Sequence, residues 1–277
     1  MGLTAVAAVR GALGFLSRLP VGRDERAWEA FRTAPWTLPV AGYVLGALLA
    51  LVVALAVAAP VPPPTVALVV VVAVVALTGI NHADGVADLG DAVVVHGGAE
   101  HRREVMGDTV TGVGGTLALV VVVAGLALAG LGFATLPVAA AAGLVLVSEV
   151  AAKLAMAVLV TLGSPAHEGF GAAVAGDLGE RDLVVPVALC LPVLVVPVVG
   201  GVVAAATLAG ALLAAVAVLW WARRNLGGVT GDVFGAGNEL ARVAALHAGL
   251  VAWELAGRPL GRGVTSRLLE VAAWTPW

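Results

Sequence analysis

At 277 residues the chain has the length of one or two domains. It is 61% hydrophobic and 12% charged, against roughly 45–50% and ~25% in soluble domains, so too few charges remain to coat a water-soluble enzyme of this size. Disorder is excluded by the same numbers, a disulfide within the chain or a cysteine-rich metal site by the single Cys190, and a nucleic-acid partner is not indicated by a net charge of −3.

Residues Leu3 to Leu19 read as an amphipathic helix lying at a membrane interface. Arg10 and Arg18 interrupt its apolar run, so it does not read as a cleavable signal peptide. A membrane-crossing helix needs about 20 mostly apolar residues. Windows of that kind fall at 36–58, 65–82, 113–133 and 136–162. The apolar stretch from Leu183 to Trp221 is too long for one crossing and contains Gly200-Gly201, so it reads as two helices, 183–200 and 202–221. The expected fold is therefore an all-α polytopic membrane bundle in one domain over 1–277, with about six crossings and interfacial helices at both ends. Glu239 to Leu255 carries Arg242, His247 and Glu254 on an otherwise apolar pattern. It reads as an interfacial or packed helix, with a further crossing as the less favoured reading, and the tail with Trp274 and Trp277 reads as interfacial.

Six crossings put every second loop on one side. The loops Pro60–Pro64, Leu131–Pro137 and Gly200-Gly201 carry no charge. The other set holds every Arg and Asp, provided the tail does not cross, and the positive-inside rule assigns it to the cytoplasm together with both termini. Trp36, Trp220 and Trp221 then fall at the cytoplasmic ends of their spans, as an aromatic belt requires. The expected location is the cell membrane.

The most informative stretch is His82-Ala-Asp84-Gly-Val-Ala-Asp88-Leu-Gly-Asp91. Its aspartates stand at i, i+4 and i+7, within ~60° of arc on a helix. Three carboxylates on one face repel one another. A divalent cation turns that repulsion into attraction, and hard oxygen ligands suit Mg²⁺. The competing reading, a solvated acidic helix end, is weakened because the chain has only eight aspartates. Next come Glu104 and Asp108 at i, i+4, suited to completing a metal site or binding sugar hydroxyls. Beside them Arg102 and Arg103 serve equally well as phosphate contacts or as topology signals. Thr109 to Gly115 is rich in small residues that allow close backbone approach. A third cluster, Arg223 to Glu239, holds Gly227, Gly228, Thr230, Gly231, Asp232 and Asn238. A Gly-rich turn can cradle phosphate with backbone N–H groups, but the spacing of a P-loop is missing. Glu149 and Lys153 stand at i, i+4 inside the fourth span, where charges are functional candidates by default or neutralise each other. His167-Glu168 is a softer candidate.

These blocks resemble the cobalamin synthase family, whose members are adenosylcobinamide-GDP ribazoletransferases. Phe15-Leu-Ser-Arg18-Leu-Pro20-Val is similar to that family's F-x-T-R-[IL]-P-V opening, and Pro39-Val-Ala-Gly42 with Gly46 to its first span. Asp84-Gly-Val-Ala-Asp88-Leu-Gly-Asp91 is similar to D-G-L-A-D-T-A-D, Arg103 to Gly112 to L-E-I-M-K-D-S-x-x-G, and Gly227-Gly228-Val-Thr230-Gly231-Asp232 with Glu239 to G-G-x-T-G-D…E. Ala92 stands where the family usually has Gly, and Gly107-Asp108-Thr109 replaces Lys-Asp-Ser. The resemblance runs through nearly the whole chain in order.

The resemblance implies transfer of an activated cobinamide from adenosylcobinamide-GDP to α-ribazole or its 5′-phosphate, with release of GMP. It implies Mg²⁺ as cofactor, with Asp84, Asp88, Asp91 and Asp108 as ligands and Glu104 beside them in catalysis. Arg18, His82, Arg102, Arg103, Lys153, Thr230, Asp232, Asn238 and Glu239 are the implied substrate-binding residues. Membrane lipid is the implied surrounding, and the oligomeric state is left open, a homo-oligomer included. Two rivals stand beside this reading. A CDP-alcohol phosphotransferase has a different acid spacing, and an ion-coupled transporter needs acids through the membrane rather than at one face. A purely structural subunit leaves the acidic clusters unexplained.

Overall fold

A computed structural model describes residues 2–22, 24–176 and 178–257. The protein is an all-α polytopic bundle, with twelve α-helices among the described residues and a single isolated bridge, Pro165 to Val229. The helices α1 (Gly2–Leu16) and α2 (Glu25–Arg32) pack together at one end. Asp24 starts α2 by accepting the Ala27 N–H at 2.7 Å and pairs with Arg10 of α1. Then α3 (Thr37–Ala58) runs away from that end and α4 (Pro63–Thr78) returns.

Gly79, at φ +78°, stops α4, so the span expected over 65–82 is shorter than the sequence suggests and His82 belongs to the next helix. That helix, α5 (Asn81–Val94), is bent 101° from α4 and lies across the end of the bundle. After α6 (Ala99–Met106), α7 (Val113–Phe133) crosses antiparallel to α4, its Gly130 packed on Ala67. Then α8 (Val138–Leu162) returns against α3, where Gly42 meets Val150 and Gly46 meets Leu146. It is the axis of the fold, buried without a break from Val147 to Thr161. By contrast α3 and α7 leave Leu51, Leu55, Val120 and Val121 exposed, the all-apolar outer faces of a helix that meets lipid.

The expected helix over 183–200 is not one helix. A short α9 (Phe170–Ala175) precedes it. It then breaks into a 3₁₀ turn at Glu180–Leu183, α10 (Val184–Cys190), a second 3₁₀ turn at Leu191–Val195, and a loop to Gly200. Pro186, Pro192 and Pro197 account for this, since each lacks an N–H and crowds the preceding turn. The segment still runs along α3 and α8, with the Leu189 carbonyl accepting the Tyr43 hydroxyl at 3.0 Å and Val199 beside Gly143.

Two long helices finish the described chain, α11 (Gly201–Asn225) and α12 (Gly231–Ala256). They form an antiparallel pair: Gly210 packs on Ala244 and Ala248, and Gly249 on Thr207. At 26 residues α12 is about 39 Å long, enough to traverse the bundle. Of the two readings of 239–255, interfacial or packed, the structure shows the packed one. That segment is the C-terminal part of a helix packed against α5, α7, α8 and α11, and it ends opposite the end where α5 lies. Arg242 and Glu239 misled the sequence reading because they are turned inward, whereas Glu254 near the end of α12 is exposed. Trp274 and Trp277 lie outside the described residues. By length and composition α3, α7, α8 and α11 are long and apolar enough to cross a membrane, and the bent α4–α5 pair makes a fifth span if counted as one.

Candidate functional site

Three helix starts converge where α5 lies across the bundle. The contacts are made through glycine. A Cβ on Gly85 of α5 would stand 2.6 Å from the Asp232 carbonyl oxygen, and one on Gly114 of α7 would stand 2.5 Å from the Gly90 carbonyl oxygen. Real Cβ atoms do not come that close, so only backbone-to-backbone packing allows α5 to be clamped between α7 and α12.

This clamp sorts the aspartates. Asp91 is spent on structure: its two carboxylate oxygens accept the N–H groups of Gly112 at 2.7 Å and Gly115 at 2.8 Å. It caps the exposed donors of α7 and meets the positive end of its dipole. Asp84 and Asp88 instead face Asp232, in the first turn of α12. Thr230 caps that turn, its Oγ1 accepting the Val233 N–H at 3.3 Å and donating to Asp232 at 3.4 Å. Partial burial, with the negative charges of Asp232, Asp84 and Asp91 around it, raises the Asp88 carboxyl from its ordinary value to about 7. None of Asp84, Asp88 and Asp232 makes an ion pair with a described residue.

The acids of the second cluster stand apart. Glu104 is exposed and contacts His101 on its own helix at 3.3 Å, and Asp108 accepts the Val110 N–H at 3.2 Å in the following turn. Their arginine neighbours tie helix ends together. Arg102 donates to the carbonyls of Ala92 and Val93 at the end of α5 and lies 5.9 Å over the Trp221 ring. Arg103 donates to the Leu226 carbonyl after α11 at 2.6 Å. Arg18 is exposed and runs beside Gly79, between α1 and the start of α5.

His82, Lys153, Asn238 and Glu239 are buried together, below the acids. Lys153 donates to Asn238 Oδ1 at 2.6 Å, and Asn238 Nδ2 lies 3.2 Å from His82 Nδ1 and 3.0 Å from Glu239 Oε1. Arg242 then bridges Glu239 and Glu149, and Glu149 lies 3.7 Å from Lys153. Two carboxylates balance two cations, so the network is neutral and ties α5, α8 and α12 together. The Gly-rich turn before α12 is likewise structural. Val229 exchanges backbone hydrogen bonds with Ser164 and Ala166 at 2.8 and 3.0 Å, and Gly228 sits too close to Ser164 to carry a side chain. That leaves no open cradle at Gly228.

Sequence reasoning placed Asp232 with the substrate residues rather than with the acids. The signal was present: Thr-Gly-Asp before an apolar run is a helix start, which puts Asp232 at the same end of the bundle as Asp84 and Asp88. Arg242 and Glu149 are the network members whose joint role was not legible.

A sequence model of the family described as cobalamin-5-phosphate synthase matches residues 8–250. The chain belongs to this family. An adenosylcobinamide-GDP ribazoletransferase of Halorubrum lacusprofundi is 50% identical over 254 residues, covering 89% of this chain and 97% of the relative. One of Haloquadratum walsbyi is 45% identical, covering 90% and 99%, and one of Methanocella arvoryzae is 33% identical, covering 88% and 96%. No solved structure matches the chain significantly. The family assignment covers α1 to α12, so the acid-bearing α5 and the start of α12 both lie within it.

Proposed function

We propose that the chain is a membrane-embedded adenosylcobinamide-GDP ribazoletransferase, and that its reaction is run by the acids at the end of the bundle. A ribose hydroxyl oxygen of α-ribazole, or of its 5′-phosphate, bonds to the phosphorus on the cobinamide side of the diphosphate. The P–O bond to GMP breaks, GMP leaves with the electron pair, and the hydroxyl proton passes to a base. The product is adenosylcobalamin or its phosphate. The observation that carries this reading is the gathering of Asp84, Asp88 and Asp232, without a described cation partner, where α5 lies across an apolar bundle.

The donor set suits Mg²⁺. Among the described residues no three His, Cys, Asp or Glu side chains are arranged to hold a metal unaided. Mg²⁺ rarely asks for that: it takes one or two carboxylates and fills its octahedron with water and substrate phosphate. One or two carboxylates drawn from Asp84, Asp88 and Asp232 would hold the ion, with Asp91 fixing the helix start beside them. When bound, the ion neutralises the charge of the diphosphate and of departing GMP. The protein's own share is positioning. Arg18 offers a guanidinium to phosphate, and the buried network holds α5 in register with α12 so that the acids meet. We assign the acid end to the cytoplasm, because the connections at the opposite end, 59–62, 134–137 and 196–200, carry no charge. The end of α12, beside Leu144 and Gly132 at the far end of the bundle, then lies on the other side of the membrane, so the expectation of both termini in the cytoplasm does not hold for α12. The exposed apolar faces of α3, α7 and α11 meet lipid of the cell membrane.

The test is turnover by purified protein in lipid nanodiscs. With adenosylcobinamide-GDP, α-ribazole and Mg²⁺ the expected products are GMP and adenosylcobalamin, with no product from CDP-alcohols. Flux of an ion or solute into liposomes without chemical turnover would favour a carrier instead.

A further inference from the structure

A cleft of about 510 Å³ opens between α1, α2 and the first residue of α5. Its walls are the rings of Phe15 and Trp28, with Ala27 behind them. Both rings are partly exposed, and they are held in place from behind: Phe15 stacks on Phe170 at 5.1 Å and 14°, and Phe31 lies 5.6 Å from Phe15. Asp24, Glu25 and Asn81 supply its polar edge. A smaller hollow of about 330 Å³ shares Phe15 and Asn81 with the cleft and adds Ser17, Arg18 and Thr78.

We propose that the cleft binds the flat aromatic base of the acceptor, the benzimidazole nucleoside, with the hollow beside Arg18 taking its 5′-phosphate when one is present. The inference rests on the transferase reading above. Four observations select this occupant. A corrinoid is too large for about 510 Å³. A diphosphate is repelled by Glu25, and no described cation lines the cleft. Guanine carries N–H donors that the cleft's carboxylates meet only in part, because Asp24 is already held by Arg10 and the Ala27 N–H and only Glu25 is left at the edge. A benzimidazole base has no such donors, and a wall of rings and small apolar residues satisfies it. Reach agrees as well. Asn81, Asp84 and Asp88 stand at i, i+3 and i+7 on α5, within ~60° of arc. A sugar beside Asn81 therefore presents its hydroxyls along the helix face that carries the acids. In the acceptor the reacting hydroxyl is on that sugar; in the donor a phosphate as well as a sugar separates the base from the reacting bond.

The experiment measures KM for each substrate separately in nanodiscs for wild type, Trp28→Leu, Trp28→Phe and Asn81→Ala. Loss of stacking in Trp28→Leu raises the KM for α-ribazole by about tenfold or more, Trp28→Phe restores it to within about threefold, and the KM for adenosylcobinamide-GDP and kcat hold. Asn81 is exposed, so Asn81→Ala leaves packing intact and raises the acceptor KM by about two- to tenfold. A KM rise confined to the GDP substrate, a loss of kcat alone, or an unchanged acceptor KM in both Asn81→Ala and Trp28→Leu overturns the assignment. Absence of any turnover in wild type would instead remove the transferase reading on which it rests.

Discussion

Two groups of charges sit within a few helical turns of each other and are treated in opposite ways. In the interior, Glu149, Lys153, Glu239 and Arg242 are packed between α8 and α12, carboxylate matched to cation, with Asn238 and His82 filling the remaining hydrogen bonds. At the end of the bundle, Asp84, Asp88 and Asp232 face one another with no ion pair to a described residue, and only the imidazole of His167 stands near Asp232 to offset them. A buried charge survives only if it is paired, so the interior set is explained by the fold alone. The acids at the rim are not, and this unbalanced cluster, held together by close glycine contacts, is where we propose that a ligand supplies the missing charge.

This contrast can be broken most severely at Asp88. Asp88→Asn should lower turnover by about 100-fold or more while the protein still inserts and melts near the wild-type temperature, as read by product formation and a thermal unfolding scan in detergent. The interior should respond in the reverse way. Arg242→Leu leaves two carboxylates buried without their shared partner and should cost about 3–5 kcal/mol of stability, seen as lost yield and an early unfolding transition. Substituting Lys153 alone should cost less, because Arg242 still pairs Glu149. Between these extremes lies Gly85→Ala. A methyl 2.6 Å from the Asp232 carbonyl forces α5 away from α12. It should cost about 1–3 kcal/mol and reduce activity, whereas Gly107→Ala, whose Cβ would meet only ordinary contacts at 3.5 Å, should do neither. The smallest effect is expected at Thr230→Ala. It removes the cap of α12 and should cost about 1 kcal/mol, with activity retained at low temperature.

Much of this was legible from pattern. Apolar windows located α3, α7, α8 and α11 to within a few residues, because a helix that meets lipid has to be apolar along its whole length. The same rule hid α12. Its charges lower the apolar count, yet Glu239 and Arg242 point into the bundle and pair there, which a one-dimensional window does not register. The proline-broken stretch before α11 failed for a related reason: its composition is apolar, but Pro186, Pro192 and Pro197 withhold the hydrogen bonds of a continuous helix. At the site, helical spacing put Asp84, Asp88 and Asp91 on one arc, but arc alone does not say which neighbour each carboxylate meets. Asp91 meets the start of α7 and is used up there. Asp232, 141 residues further along than Asp91, joins Asp84 and Asp88 only because α12 begins beside Gly85. The arginines at 102 and 103 show the same limit: residue type suited phosphate, and the fold sets them on helix-end carbonyls.

The account is tested most directly by measuring divalent-cation affinity at the acid end. Mn²⁺ can stand in for Mg²⁺ and be followed by electron paramagnetic resonance in nanodiscs loaded with adenosylcobinamide-GDP and no acceptor. One tightly held ion is predicted in wild type and in Glu104→Gln, with affinity about 10–100-fold weaker in Asp84→Asn, Asp88→Asn and Asp232→Asn. Equal affinity in wild type and in all three aspartate variants would contradict it.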